Sequence, residues 1–339
     1  MVRQQRHSPA VSALEAELDG FLVDAGLAKP GEVTKWTPLT GGVSSDIWRV
    51  EAGERQFCVK RALATLKVAA QWEVSTDRNA FEWAYMNLVA RIAPGHVPGP
   101  VGHDPARGLF AMAWLEPSQH RLWKDELLAG KVDAGDGTAV GALLGSIHAA
   151  TSQMPELAVQ FATDENFNAL RIDAYLLATA RAHPDLALPI EAAATQTAMT
   201  KLALVHGDVS PKNIMLGPSG PILLDGECAW WGDPAFDLAF CLNHLLIKSR
   251  IVAGAGQALK ASFDALVCAY QPFVIWEDPV ALEARAATLL PMLALARVDG
   301  KSPVEYLGEA DRASLRSEAR AAIKRSATSL EEVAAGLLS

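Results

Sequence analysis

Two short apolar runs joined by a turn constrain the fold of this chain more than any other feature. The runs occupy residues 214–216 and 222–224, and the sequence Gly-Pro-Ser-Gly between them is typical of a tight turn. We therefore predict a β-hairpin. Its folding brings Asn213, which precedes the first strand, close to Asp225, which follows the second. An amide oxygen and a carboxylate at one point suit a hard cation such as Mg²⁺.

A further acidic residue, Asp208, lies on the same polar loop as Asn213, five residues before it. If Asn213 and Asp225 hold a metal ion, Asp208 is free to orient a nucleophilic hydroxyl. A single Asp in such a loop is more often a turn or capping residue. Three oxygen-bearing side chains in register with two strands favour instead a site for metal-assisted phosphoryl transfer.

Three motifs between residues 204 and 239 resemble the catalytic segment of the aminoglycoside phosphotransferase and choline kinase superfamily. They are His206-Gly207-Asp208 with Asn213, Asp225-Gly226-Glu227, and Gly232-Asp233-Pro234 with Asp237. These proteins are small-molecule kinases with a protein-kinase-like fold. The resemblance implies an α+β, bilobal fold with a small β-rich N-terminal lobe and a larger, mainly helical C-terminal lobe. It also implies ATP-dependent transfer of the γ-phosphoryl group to a hydroxyl of a small molecule, with ATP and Mg²⁺ as cofactors.

The resemblance implies a role for each matched residue. Asp208 is the catalytic base, and Asn213 and Asp225 are the metal ligands. His206 and Asp237 support the catalytic loop without taking part in the chemistry.

Within the superfamily, further stretches are similar to the 5-methylthioribose kinases. They are CVKRAL, QWEVSTDR, HGD and DGECAWWGDPAFD. By this likeness Trp72 lines the substrate or nucleotide site, and Glu227 helps to bind metal or substrate. The chain departs from those kinases at Asn213, where they lack Asn, and at Gly226, where they carry Pro. Asn213 is closer to the antibiotic kinases, so the subfamily stays open.

The first third of the chain, residues 1–116, is predicted to be a nucleotide-binding lobe that opens with a helix at about residues 9–26. A glycine-rich turn between strand-like segments lets main-chain N–H groups face phosphate oxygens. That turn is Gly41-Gly42-Val43-Ser44-Ser45.

The next apolar strand ends at Lys60. Gly-Gly turns and surface lysines are individually common, but a glycine-rich loop followed by a strand lysine is typical of kinase-like folds, where the lysine contacts the nucleotide phosphates. Such a lysine needs an acidic partner on the following helix. We expect that partner to be Glu82, with Glu73 as the alternative.

The segment 109–117, LFAMAWLEP, predicts a buried strand that leads into the connection between the lobes. We expect the adenine edge to form hydrogen bonds with the backbone of Ala113, Trp114 and Leu115. The side chains of Met112 and Trp114 would then lie against the base, although apolar strand residues are usually plain core.

Residues 117–339 are predicted to form the C-terminal catalytic and substrate-binding lobe. Asp233-Pro234 is a helix start, with Asp as the N-cap and Pro at the first position. Arg297 lies in the short polar interval LARVDGKSPVEYL, near the place where similar kinases present substrate-facing arginines. A solvated turn between helices is the alternative for Arg297.

Composition limits the classes of partner. The chain of 339 residues is 50% hydrophobic and 20% charged, which is typical of a globular protein. Its net charge of −9 disfavours a nucleic-acid partner and would suit a cationic substrate.

Because the four cysteines form no CxxC pair, we expect buried thiols in a reducing compartment. The apolar run at residues 289–296 is too short to span a bilayer, so no membrane partner is expected and a cytoplasmic protein is predicted.

Two other functions fit the same motifs. A catalytically inactive nucleotide-binding module on this fold is one, and a protein kinase is the other. The short interval between Asp225 and the Asp233-Pro234 helix start disfavours a protein kinase, which needs a long activation segment there. The sequence does not identify the phosphate acceptor, which could be an aminoglycoside, methylthioribose, a choline-like alcohol, homoserine or another hydroxyl metabolite. It also does not decide between ATP and GTP, and it does not reveal the oligomeric state.

Overall fold

The structure, a computed structural model, describes residues 9–39, 45–62 and 78–337. The chain forms two compact units. The first comprises Met1–Trp83 and Pro98–Leu115, and the second comprises Ala84–Val97 and Glu116–Ser339. The first unit is rich in β-structure and the second is mainly helical, which confirms the predicted α+β class.

The first unit is built on a five-stranded antiparallel sheet in the order β1-β2-β3-β5-β4. A long helix, α1, precedes the sheet, and helix α2 begins in this unit and continues into the second. The bounds are α1 Pro9–Asp24, β1 Thr34–Pro38, β2 Ser45–Ala52, β3 Arg55–Ala62, α2 Arg78–Ile92, β4 Pro100–Asp104 and β5 Leu109–Ala113.

Alternating apolar residues on the central strands bury one face of this sheet beneath α1. Val50 and Val59 are fully buried on β2 and β3, and they share a core with Phe21 and Leu22 of the helix. The helix ends two residues before Gly26, whose φ of 69° suits glycine, and the Leu22 carbonyl accepts hydrogen bonds from the next two N–H groups. This core fixes β3, the strand that carries Lys60.

The second unit contains eleven further α-helices and five short strands among its described residues. The strands are β6 Arg121–Leu122, β7 Ala203–Val205, β8 Ile214–Gly217, β9 Gly220–Leu223 and β10 Trp230–Gly232. The helices are α3 Trp123–Leu128, α4 Ala134–Ser152, α5 Leu157–Gln160, α6 Asp164–Phe167, α7 Ala178–Ala182, α8 Ala187–Met199, α9 Pro234–Lys248, α10 Gly256–Tyr270, α11 Pro279–Asp299, α12 Glu309–Arg325 and α13 Leu330–Leu337. A π-helix, Asn168–Leu177, joins α6 to α7.

The hairpin predicted from the two apolar runs is confirmed. β8 and β9 pair antiparallel with Ile214 opposite Leu223, and Gly217 opposite Gly220 closes the turn. The Leu224 N–H donates to the Asn213 carbonyl at 2.8 Å, so the pairing extends one residue beyond the strands. Asp225 therefore follows directly on a residue that is hydrogen-bonded to Asn213.

Helix α9 forms the centre of the helical core, and all fifteen of its residues are buried. Its predicted start is confirmed, because the Asp233 side chain accepts a hydrogen bond from the Ala235 N–H and Pro234 occupies the first turn. Helices α4 and α10 pack unusually close, since a Cβ at Gly141 would lie 2.2 Å from the Leu266 carbonyl oxygen.

The structure changes two of the expectations that were based on composition. Cys58, Cys228 and Cys241 are buried as predicted, but Cys268 is exposed on α10. The apolar run at residues 289–296 belongs to a longer helix, α11, which by length and composition alone could cross a bilayer. In the structure 61% of its apolar window is buried inside the protein, as in the core helix of a globular domain.

We predict that Arg285→Met lowers the free energy of unfolding by about 3 kcal/mol, because a buried carboxylate that loses its cation is strongly destabilising. Arg285 donates to both oxygens of the fully buried Asp233, each at 2.9 Å. Chemical denaturation measures the change. The control is Lys260→Met, which removes an exposed pair with Asp264 and should cost less than about 1 kcal/mol. Equal effects of the two variants would contradict the prediction.

Candidate active site

The predicted catalytic loop, residues 206–213, follows strand β7 and is held by the carboxylate of Asp237 on α9. The His206 N–H donates to Asp237 Oδ2 at 2.7 Å, and the Gly207 N–H donates to Oδ1 at 2.8 Å. His148 Nε2 lies 3.2 Å from the same carboxylate. Asp237 is fully buried, so these N–H donors replace the water that its charge has lost.

His206 connects the loop to the end of the hairpin. Its Nδ1 accepts a hydrogen bond from the Asp208 N–H at 3.2 Å, which assigns the ring proton to Nε2. Nε2 then donates to the Leu224 carbonyl at 2.9 Å. The ring therefore fixes the backbone of Asp208 relative to the residue that precedes Asp225.

Gly207 satisfies a steric requirement at the centre of the motif. Its φ is 77°, a left-handed conformation that favours glycine, and an added Cβ would lie 2.6 Å from the Cys228 carbonyl oxygen. A larger residue at this position would displace the loop that carries Asp208.

The carboxylate of Asp208 lies between two cations. Its Oδ2 is 3.1 Å from Arg171 Nη2 and 3.2 Å from Lys212 Nζ. Burial alone would raise the pKa of Asp208, but Lys212 and Arg171 outweigh burial, so the pKa lies below its usual range. Asp208 is therefore ionised at neutral pH and can accept a hydrogen bond from a hydroxyl group.

Arg171 is the site residue that the sequence reasoning missed. It lies on the π-helix, Asn168–Leu177, and its Nε donates to the Gly207 carbonyl as well as reaching Asp208. It is 36 residues from Gly207 in sequence, and no motif joins the two positions. The sequence offered only a weak signal, because Arg171 is one of two charged residues in the stretch NALRIDAYLL.

Asn213 and Asp225, the predicted metal ligands, lie at the two ends of the β8–β9 hairpin. The Asn213 amide nitrogen donates to the Asp208 carbonyl at 3.0 Å, so its amide oxygen is the atom suited to bind a cation. Asp225 has a left-handed φ of 63°, and its charge acts on Asp208. No cluster of three or more His, Cys, Asp or Glu side chains occurs among the described residues. The predicted pair, which includes an amide, is a different kind of site.

Glu227 and Arg297, the other two candidates in the second unit, differ in their surroundings. Glu227 is half-buried on a short 3₁₀ turn two residues after Asp225, and its carbonyl accepts from Asn166. Arg297 is half-buried on α11, where its Nη1 donates to the Tyr175 hydroxyl at 3.0 Å. A solvated turn, the alternative for Arg297, does not describe this environment.

In the first unit, Lys60 and Glu82 form a buried ion pair. Lys60 Nζ lies 2.8 and 2.7 Å from the two carboxylate oxygens of Glu82, and the side chains are 4% and 6% exposed. β3 positions the lysine, and α2, of which Glu82 is the fifth residue, positions the acid. The structure thus brings together the two residues that the sequence analysis paired, whereas Glu73 lies outside the described residues.

The predicted adenine-contacting strand is β5 and its continuation. Met112, Ala113, Trp114 and Leu115 are all half-buried. The Ala113 N–H already donates to the Gly99 carbonyl at 2.8 Å, so this group is occupied within the sheet. The Arg49 guanidinium lies 5.1 Å from the centre of the Trp114 ring. Of the predicted phosphate loop, Ser45 is described and buried, whereas Gly41, Gly42, Val43 and Ser44, like Trp72, lie outside the described residues.

Comparison with known proteins gives a consistent family. The model of the phosphotransferase enzyme family matches residues 35–270. The methylthioribose kinase of Pectobacterium atrosepticum is 26% identical over 251 residues, which cover 66% of this chain and 62% of that kinase. The chain thus spans less than two thirds of the length of this curated relative.

Two solved structures share the fold. An amicoumacin kinase in complex with AMP-PNP, Ca²⁺ and Ami has a TM-score of 0.52 at 13% identity, covering 95% of this chain and 98% of that one. A choline/ethanolamine kinase family protein from Mesorhizobium loti has a TM-score of 0.50 at 14% identity, covering 96% and 99%. At these identities the similarity establishes a kinase-like fold alone.

We predict that Arg171→Met lowers the free energy of unfolding by about 2–4 kcal/mol, because it leaves the Gly207 carbonyl and one side of the buried Asp208 carboxylate without a donor. Faster amide hydrogen exchange within residues 206–213 should accompany the loss. Arg181→Met is the matched control, since Arg181 is 58% exposed and pairs with Asp173. Unchanged exchange in the loop of the Arg171 variant would show that Arg171 does not hold it.

Proposed function

This chain belongs to the phosphotransferase enzyme family, and on that premise we propose that it transfers the γ-phosphoryl group of ATP to a hydroxyl group of a small molecule. The observation that carries the proposal is the setting of Asp208. An ionised carboxylate, oriented by Arg171 and Lys212 and clamped through its loop to Asp237, is suited to accept the proton of an attacking hydroxyl.

Phosphoryl transfer requires mainly positioning and charge neutralisation from the protein. The rigid loop around Asp208 supplies the positioning, because the His206 ring and the Asp237 carboxylate fix its backbone. Lys212, which is 52% exposed and adjacent to Asp208, adds a cation that can reach a phosphate oxygen. Asp208 would accept the proton of the acceptor hydroxyl while the hydroxyl oxygen attacks the γ-phosphorus and the bond to the leaving ADP breaks.

We propose that Asn213 and Asp225 hold Mg²⁺. The donor set, an amide oxygen and a carboxylate at the ends of one hairpin, is of the type that Mg²⁺ prefers when substrate phosphates and water complete its shell. The bound ion would offset the negative charge of the phosphates. Glu227, two residues after Asp225, is a candidate for an additional metal or substrate contact.

For the nucleotide, we propose that Lys60 contacts phosphate oxygens and that Glu82 orients it. Their pairing is buried and short, as expected for a lysine that must be held in one position. The glycine-rich turn of residues 41–45 is proposed to cover the phosphates. The backbone after Ala113 is proposed to contact adenine, with Trp114 beside the base.

The acceptor is proposed to be a small hydroxyl compound rather than a protein or a nucleic acid. Curated relatives include methylthioribose kinases, and the two solved structures named above are an amicoumacin kinase and a choline/ethanolamine kinase family protein. Trp72 and Arg297 are proposed to line the substrate site. A cytoplasmic location is proposed in keeping with an ATP-dependent reaction.

An inactive nucleotide-binding module is the second candidate function. Such a module usually lacks the base or a metal ligand, whereas Asp208, Asn213 and Asp225 are all present here. A protein kinase is disfavoured, because only a 3₁₀ turn and the three-residue strand β10 separate Asp225 from Asp233.

We predict that Asp208→Asn reduces phosphotransfer by a factor of about 100 or more, because the amide cannot take up the hydroxyl proton. ADP release with a panel of hydroxyl acceptors, at saturating ATP and Mg²⁺, measures the loss. Nucleotide affinity should stay within about threefold of the wild-type value.

A matched pair of lysine variants tests the nucleotide site in the same assays. Lys60→Met should weaken ATP binding by about tenfold or more. Lys35→Met, on the same sheet but 70% exposed, should leave ATP binding unchanged.

Mg²⁺-dependent ATP binding without transfer to any acceptor would favour the inactive module. Full activity of Asp208→Asn would overturn the assigned base.

A further inference from the structure

Four cationic side chains of the second unit converge around two tyrosine rings. Two guanidinium groups lie 5.7 and 5.6 Å from the centre of the Tyr175 ring. Two ammonium groups lie 5.8 and 5.2 Å from the centre of the Tyr306 ring. We call this set the basic cluster; it consists of Arg171, Arg297, Lys124 and Lys248.

Helix α9 connects the catalytic loop with the basic cluster. Asp237, Phe240, His244 and Lys248 follow one another at helical spacing along one face. Asp237 binds the backbone of the loop, and the Phe240 ring lies 5.7 Å from the Arg171 guanidinium. Lys248 is eleven residues after Asp237, or about 16 Å along the axis at 1.5 Å per residue. The cluster therefore extends from Arg171, beside the proposed base, to Lys248 at the end of α9.

Lys248 is a buried cation without a carboxylate partner among the described residues. Its side chain is almost fully inaccessible, and its Nζ donates to the Tyr306 hydroxyl at 3.4 Å. Burial, with added repulsion from Lys124 and Arg297, lowers the pKa of Lys248 to about 7. Burying an unpaired charge is costly, so a residue in this state is typically retained for binding or chemistry.

Arg297 shows the same lack of counter-charge. It forms hydrogen bonds with the Tyr175 hydroxyl and with Ser302, both of them neutral groups. Its Nε is buried and has no hydrogen-bond partner among the described residues. The half-buried guanidinium thus retains one unused, inaccessible donor, Nε.

The carboxylates near the cluster pair with its two other cations, Lys124 and Arg171. Glu305 pairs with Lys124 at 2.8 Å, and its side chain is 69% exposed. Asp208 pairs with Arg171 and Lys212. Neither acid forms an ion pair with Lys248 or Arg297, although the charge of Glu305 acts on both. Three cations and one carboxylate leave the far end of the cluster with excess positive charge. This local field is opposite in sign to the net charge of −9 for the whole chain.

We propose that the acceptor alcohol carries an oxyanion, either a carboxylate or a phosphate ester, which binds to Lys248 and Arg297. This inference rests on the proposed function and specifies its substrate class. The hydroxyl oxygen of the acceptor attacks the γ-phosphorus of ATP, its proton passes to Asp208, and the bond to the leaving ADP oxygen breaks. Acceptors that are cationic are rejected, because Lys248 and Arg297 repel them.

The charge state of Lys248 predicts a pH effect on the ligand-free protein. The unfolded chain keeps the lysine proton up to the ordinary pKa of 10.5, whereas the folded protein loses it at about 7. Stability should therefore rise as the pH increases from 7 to 8.5, since the unfolded state then binds more protons. Lys248→Met should flatten this rise.

The other groups that act on Lys248 limit the useful pH window. They are Lys124, Arg297, Cys241, Glu305 and Tyr306, with His244 on the preceding turn. Burial raises the pKa of Tyr306 to about 12 and also raises the pKa of the Cys241 thiol, so these groups oppose the trend only at higher pH. Urea denaturation of the two proteins at pH 7.0 and 8.5 measures the difference. If stability changed equally between the two pH values in both proteins, the pKa of Lys248 would not be lowered in the folded state.

The acceptor class is tested by ADP release with matched pairs of alcohols. Glycerate is compared with glycerol, gluconate with glucose, and ribose 5-phosphate with ribose, and choline serves as a cationic acceptor. We expect kcat/KM to be about tenfold or more higher for at least one anion than for its neutral partner, as one added ion pair in a buried site provides. The carboxylate and phosphate arms identify which oxyanion is bound. Better turnover of the neutral acceptors or of choline would overturn the inference and leave the proposed function intact.

Variants of the cluster locate the binding site. Lys248→Met should raise KM for the anionic acceptor about tenfold or more and leave KM for ATP unchanged, and Lys248→Arg should restore part of the affinity. Lys324→Met, which removes an exposed lysine of α12, is the matched control. An unchanged KM in Lys248→Met would exclude this residue as the anion site.

A binding measurement keeps the inference testable if no acceptor in the panel reacts. Malonate and inorganic phosphate, at constant ionic strength, should raise the melting temperature of the wild-type protein and of Lys60→Met. They should not raise that of Lys248→Met. An equal shift in all three proteins would overturn the inference, whereas loss of ATP binding and transfer alone would count against the proposed function.

Discussion

The carboxylate of Asp237 accepts hydrogen bonds from the backbone N–H groups of His206 and Gly207, and the geometry of the loop before Asp208 depends on this interaction. The carboxylate is fully buried and is stabilised by these two backbone N–H donors, with His148 as a third contact. His148 in turn lies 2.8 Å from the Tyr270 hydroxyl, so helices α4, α9 and α10 share one polar network. Because an unsatisfied buried carboxylate is costly, this network holds the loop in one position.

From this clamp the second unit separates its charges along α9. At one end, the Asp208 carboxylate is compensated by Arg171 and Lys212. At the other end, Lys248 and Arg297 have no carboxylate partner among the residues that the structure describes. One end of α9 thus lies near a carboxylate that two cations balance, and the other end lies near two cations without a paired carboxylate. This distribution of charge suits an acceptor with a hydroxyl at one end and an oxyanion at the other.

Features of short range followed from the sequence. The β8–β9 hairpin and the Asp233-Pro234 helix start were predictable because turn and capping preferences act over a few residues. The pairing of Lys60 with Glu82 spans 22 residues and was reached through a family motif. Arg171 could not be reached in this way, since a π-helix brings it to Gly207 from 36 residues away. Lys248 was hidden at the end of an apolar helix, and the exposure of Cys268 depends on which face of α10 packs inward.

By itself, the sequence determined the kinase-like class, the hairpin that carries Asn213 and Asp225, and the acid at position 208, because these depend on local spacing and on recognisable motifs. The tertiary structure decided which cations surround Asp208 and which cations remain without a partner. Those contacts join α9, α11 and the π-helix, which lie far apart in the chain. Their energies depend on burial, and burial is a property of the packed protein that no local pattern specifies.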